Sequence, residues 1–246
     1  MTSFRVLLVQ VRDDGDPMAR HEAECVTRRL APSPVVLDTR NALVNRSDAS
    51  WLDGHDAVII GGSGDYSVHD PRSRQWVDGL HRLLDGALER KVPTFGLCFG
   101  HQLLGKHLGA EVATDEAYAE LGTVDLELTP EGLEDPVFSG LEPEYHGHTG
   151  HSDHVTRVPD GVRLLSRNAR LATQAFKVDG APVYSTQYHP DMTAVEALSR
   201  YLAYRNALPD EIDPATGEAT RRFRPGADAA TMLLGRFIEA ARRGTL

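Results

Sequence analysis

The chain has 246 residues, 41% hydrophobic and 25% charged, with 22 glycines and 14 prolines; this excludes disordered and fibrous classes and is long enough to bury a substantial core. Acidic residues outnumber basic ones 36 to 26, a formal net charge of −10, so no nucleic-acid partner is expected; nor does any apolar run approach the roughly 18 residues of a membrane span. Two cysteines, Cys25 and Cys98, make no disulfide framework, and a reducing compartment leaves Cys98 free to react.

Phe4 to Val11 reads as a first strand rather than a signal peptide, and a cytoplasmic location is expected. Met18 to Leu30 reads as a helix, "SPVVLDTR" as a second strand and "DAVIIGG" as a third that ends on glycines. Asp70-Pro71 has the form of a helix start, followed by Trp76, Val77, Leu80, Leu83, Leu84, Ala87 and Leu88 on one face. "PTFGLC" is another short buried strand, leading into a helix with Leu103, Leu104, His107 and Leu108. Strands alternating with helices predict a parallel sheet covered on both faces.

From Ala110 the pattern becomes alternating and turn-punctuated, in "GTVDLELT", "GVRLLSR", "LATQAFKV" and "APVYSTQYHP". These runs predict antiparallel strands or hairpins appended to the parallel sheet, with a turn at Asp179-Gly180. Thr193 to Tyr204 reads as a helix opened by a Thr193/Glu196 capping box. Arg205 to Gly226 then breaks the pattern before a final helix with Met232, Leu233, Phe237, Ile238 and Ala241. The expectation is one α/β domain over residues 1–246 with an insertion at about 205–226, acting as a lid or docking surface. "TRRFRP" within it reads as a short solvated loop.

Chemistry concentrates at Cys98. Gly96-Leu97-Cys98-Phe99-Gly100 has the spacing of a nucleophile elbow, where a strand turns abruptly into a helix and exposes the middle residue. There the helix N-terminus favours a thiolate, and a neighbouring backbone N–H can serve an oxyanion. The pentapeptide alone leaves a second reading open, a small buried core cysteine at a strand end. A thiol nucleophile also needs a base, and "VYSTQYHPD" places His189 just past an apolar strand with Asp191 two residues on to orient it.

Together "GLCFGHQ", "QYHPD" and "IIGGSGDYSVHD" resemble the class I, triad-type glutamine amidotransferases, especially the glutaminase part of GMP synthase, over roughly Phe4 to Tyr204. The resemblance implies that Cys98 attacks the side-chain amide of L-glutamine, that His189 activates the thiol and protonates the ammonia, and that Asp191 orients His189. It implies an oxyanion hole from the N–H groups of Gly62 and Phe99, and a substrate grip from Gly62, Gly64 and Gln102. "TGHSDHV" resembles a further family segment, which adds His151 and Ser152 at the α-amino and α-carboxylate ends. No cofactor and no membrane partner is implied. No P-loop is evident, so the ammonia acceptor is expected to be a separate synthase subunit.

This sequence departs from the family at two places. The family's acid is normally glutamate, whereas Asp191 is shorter by about 1.5 Å, and Ser63 stands where proline is frequent. Three rival readings accompany the first. His146, His148, His151 and His154 could hold zinc, but strand alternation sends His146 and His148 to one face and His151 to the other, and no metal is assigned. The same Cys98 and His189 could serve a γ-glutamyl or other small-amide hydrolase acting alone. A binding module with a weakened triad is the third, resting on Asp191.

Overall fold

The structure is a computed structural model that describes residues 3–31, 34–205 and 217–246. In chain order it runs β1 (Phe4–Val11), α1 (Pro17–Leu30), β2 (Val35–Asn41), β3 (Ala57–Ser63), α2 (Arg74–Glu89), β4 (Thr94–Leu97) and α3 (Phe99–His107). Then come β5 (Val112–Thr114), β6 (Glu120–Leu128), α4 (Pro130–Glu134), β7 (Glu144–His151), β8 (Asp153–Val155), β9 (Val162–Arg167), β10 (Ala175–Val178) and β11 (Val183–Thr186). Among the described residues three helices follow: α5 (Ala194–Arg205), α6 (Glu218–Arg222) and α7 (Leu233–Arg243).

Among the described residues nine strands form one sheet in the order β2-β1-β3-β4-β11-β10-β9-β6-β7, with β5 and β8 paired separately. Strands β2, β1, β3, β4 and β11 pair parallel, and β10, β9, β6 and β7 continue the sheet antiparallel. Because successive strand residues face opposite sides, Val6 and Leu8 pack toward α1 and α7 while Leu7 and Val9 pack toward α2 and α3. Two buried faces explain the unbroken apolar runs. Among the described residues no helix is long and apolar enough to cross a membrane.

One sequence expectation is corrected by the strand pairing. "APVYSTQYHP" is expected among the appended antiparallel strands, but β11 is antiparallel only to β10 and lies parallel to β4, completing the parallel half. The turn at Gly180 (φ 70°) returns the chain beside β10, and all four β11 residues are buried, as a central strand requires. The Asp70 cap is present, opening a 3-10 turn that leads into α2, and the capping box of α5 forms, with Glu196 accepting from the Thr193 N–H at 2.8 Å. Of the stretch 205–226, residues 206–216 lie outside the described residues. "TRRFRP" is not a solvated loop throughout: Arg221 and Arg222 end α6, and Phe223 is buried against Met192 and Ala197.

Candidate active site

Three neighbouring parallel strands deliver the motifs to one place. Ile60 of β3 pairs with Gly96 of β4, and Leu97 of β4 pairs with Thr186 of β11, so the segments after these strands emerge side by side. This is the carboxyl edge, where open parallel sheets carry their sites.

Cys98 joins β4 to α3 with φ 50°, a conformation that costs a non-glycine residue about 1–3 kcal/mol and persists only where its surroundings impose it. Close backbone approach imposes it here: a Cβ on Gly96 would stand 2.7 Å from the Gly100 carbonyl, and one on Gly100 would stand 2.5 Å from the Ile60 carbonyl oxygen. The Cys98 N–H donates to the Thr186 carbonyl at 2.8 Å, tying the elbow to β11. Phe99 follows as the first residue of α3, whose first-turn N–H groups have no intrahelical acceptor.

His189 is 7% exposed and its Nδ1 lies 3.0 Å from Oδ1 of Asp191, which is fully buried. Nε2 is thereby left outside the pair with Asp191, and the His189 and Cys98 side chains line the same cavity. The shorter acid therefore does reach its histidine. Burial opposes charge on His189, but Asp191 and the Cys98 thiol outweigh it and raise its pKa to about 9. Burial also opposes charge on Asp191, yet Arg200 and His189 hold its carboxyl well below the usual range. Arg200 of α5 places Nη2 3.2 Å from Asp191 Oδ2.

The glycine loop lies against this group. A Cβ on Gly62 would stand 3.0 Å from His189 Cε1 and 3.8 Å from Cys98 Cβ. Beneath the loop, Glu22 of α1 accepts from the Gly62 N–H at 3.2 Å, from Gln10 Nε2 at 3.0 Å and from Arg12 Nη2 at 2.9 Å. On the outer side Gly64 packs on the Tyr204 ring, whose hydroxyl accepts from Arg12.

A cavity of about 1100 Å³ opens here, and Gly64, Cys98, Phe99, Gln102, His151, Ser152 and His189 all line it. Gly62 and Asp191 sit behind its wall. Gln102 donates to the Asp153 carbonyl at 2.8 Å, and His151 Nε2 lies 3.1 Å from Glu120. The other histidines of that region have separate partners: His146 lies beside Asp125, His148 beside Asp228, and His154 stacks on Tyr118. Among the described residues no three His, Cys, Asp or Glu side chains are grouped to hold a metal ion.

Sequence reasoning missed Glu22 and Arg200. Their signal was present: Met18, Glu22, Cys25 and Val26 share the buried face of α1, as Ala194, Ala197 and Arg200 share that of α5. A charge on the apolar face of an amphipathic helix marks a buried partner.

A cysteine at a strained elbow, an imidazole–carboxylate pair and a glycine loop converge here, and the chain belongs to the class-I glutamine amidotransferase family, whose model matches residues 21–205. It is 35% identical over 108 residues to a glutamine-hydrolyzing GMP synthase subunit of Thermococcus kodakarensis, a match covering 44% of this chain and 55% of that one. It is 32% identical over 145 residues to the protein of the same description from Sulfurisphaera tokodaii, covering 59% and 72%. The chain thus spans little more than half of the first relative. A glutamine amidotransferase of Thermotoga maritima has the same fold, with TM-score 0.74 and 20% identity over 98% of this chain and 99% of that one.

Proposed function

We propose that the chain hydrolyses the side-chain amide of glutamine through a thioester on Cys98. The observation that carries this is the convergence of Cys98 with the His189–Asp191 pair at adjacent strand ends. His189 takes the thiol proton, and Sγ forms a bond to the amide carbon. The C–N bond then breaks as the imidazolium returns the proton to the departing ammonia. Water attacks the thioester, the C–S bond breaks, and glutamate leaves with Cys98 restored.

Phe99 and Gly62 supply the oxyanion donors in this reading. The Gly62 N–H is donated to Glu22 here, so it serves the oxyanion once that bond is exchanged. Gly62, Gly64, Gln102, His151 and Ser152 form the substrate-binding side, with Gln102 and His151 held by their own partners. Ammonia passes to a separate synthase partner, and the relatives described as GMP synthase subunits support this reading. Residues 1–246 are read as one amidotransferase domain with the insertion before α7, and the two free cysteines suit a reducing cytoplasm.

Glutamate release from glutamine by the purified chain, beside Cys98→Ala and with a metal chelator, tests this. Release that is abolished by Cys98→Ala and indifferent to the chelator is expected. Release that persists in Cys98→Ala would refute it.

A further inference from the structure

Asp191 is fully buried, so its carboxylate must find its partners within the protein. A buried carboxylate needs them on both oxygens. Oδ1 meets His189 Nδ1 at 3.0 Å, and Oδ2 meets Arg200 Nη2 at 3.2 Å. Arg200 is itself 6% exposed, and its Nη1 lies 3.5 Å from His189 Nδ1, so the guanidinium borders both members of the pair. We propose that Arg200 is a positioning residue of the triad: from α5 it clamps the free oxygen of Asp191 and so fixes a short carboxylate against His189. The inference deepens the thiol-hydrolase reading and rests on it.

Charge balance gives the clamp a second effect. When the Cys98 proton has moved to His189, the buried set holds a thiolate, an imidazolium, a carboxylate and a guanidinium, which sum to zero. Without Arg200 the set is left with one uncompensated negative charge. The other groups around this set are His21, Cys25 and Arg28 of α1, Glu196 and Tyr204 of α5 and His148 of β7. Burial, then Arg200, lowers the pKa of His21; Arg200→Met removes the second cause and leaves burial opposing a charge there. Cys25 is pushed up to about 12 by burial and by Asp191 and stays a neutral thiol. Glu196 carries its own counter-charges, Arg28 at 2.8 Å and Arg29 at 3.4 Å. His148 pairs with Asp228, and burial lowers its pKa.

The test uses the full chain as wild type, Arg200→Met, Arg200→Lys and Cys98→Ala, with two readouts: glutamate release, and the pH profile of Cys98 alkylation by iodoacetamide. Arg200→Met should lower kcat roughly 10- to 100-fold with KM changed less than about twofold, as expected for a misplaced general base. Its alkylation profile should move to higher pH, because a positive charge has been removed. Arg200→Lys should return the profile to the wild-type position and recover part of kcat. If Arg200→Met does not fold by thermal melt, Arg200→Gln replaces it, retaining a donor without the charge. A neutral variant with wild-type kcat and an unmoved profile overturns the proposal, as does a Lys variant no better than Met. Should wild type alone release no glutamate, the alkylation profiles by themselves decide the role of Arg200.

Discussion

Replacing Glu22 by alanine would strand a charge under the glycine loop. Arg12 is 2% exposed, and Glu22 accepts from its Nη2 at 2.9 Å and its Nε at 3.4 Å. The same carboxylate accepts from Gln10 and from the Gly62 N–H. Gln10 keeps a partner in the Ala19 carbonyl at 2.7 Å, and Arg12 keeps the neutral Tyr204 hydroxyl, so the main loss is the counter-charge of a buried guanidinium. Breaking one side of such a pair costs about 3–5 kcal/mol. Against a total stability of roughly 5–15 kcal/mol that is a large fraction. With a urea m-value of about 3 kcal/mol/M, the unfolding midpoint should fall by roughly 1–2 M. Removing both partners, as Arg12→Met with Glu22→Met, should recover most of the loss, since hydrophobic side chains of similar volume replace buried ion pairs at little cost. Urea unfolding followed by circular dichroism measures all three proteins. A Glu22→Ala midpoint within experimental scatter of wild type, or a double variant as unstable as the single, would refute the reasoning.

Two further outcomes follow from the triad. Asp191→Glu adds a methylene to a fully buried position already in contact with His189 and Arg200. It should lower stability by about 1–3 kcal/mol and slow glutamate release rather than speed it; faster turnover would mean that the short acid is a handicap after all. The pH dependence of stability has a definite sign. His189 titrates at about 9 in the fold against 6.5 ordinarily, so its contribution is complete below pH 6.5 and is lost as pH rises toward 9. Urea unfolding at pH 6, 7.5 and 9 should register the decline, and Asp191→Asn should flatten it; a wild-type curve level across that window would contradict the assignment.

Much of the fold was legible because its signals are local. The run Phe4 to Val11 matches β1 residue for residue, since its part buried on both faces, Val6 to Val11, is apolar but for Gln10. Asp70, Thr193 and Glu196 were readable as caps because capping is satisfied within a few residues. The histidine-rich segment was harder, as alternation tells which side chains share a face but not that Glu120 and Asp228 wait there.

The sequence by itself determined the first four strands of the parallel half of the sheet, the elbow at Cys98 and the composition of the glycine loop. Glycine spacing and apolar runs act through sterics between near neighbours, so they need no knowledge of distant chain. Only the tertiary structure decided that β11 lies beside β4, which brings His189 to Cys98, and that Arg200 and Glu22 meet Asp191 and Gly62. Strand order depends on contacts across many tens of residues, while the buried pairs Arg12–Glu22 and Arg200–Asp191, 10 and 9 residues apart, join different segments of the fold. Their energies exist only once the desolvated partners have been brought together.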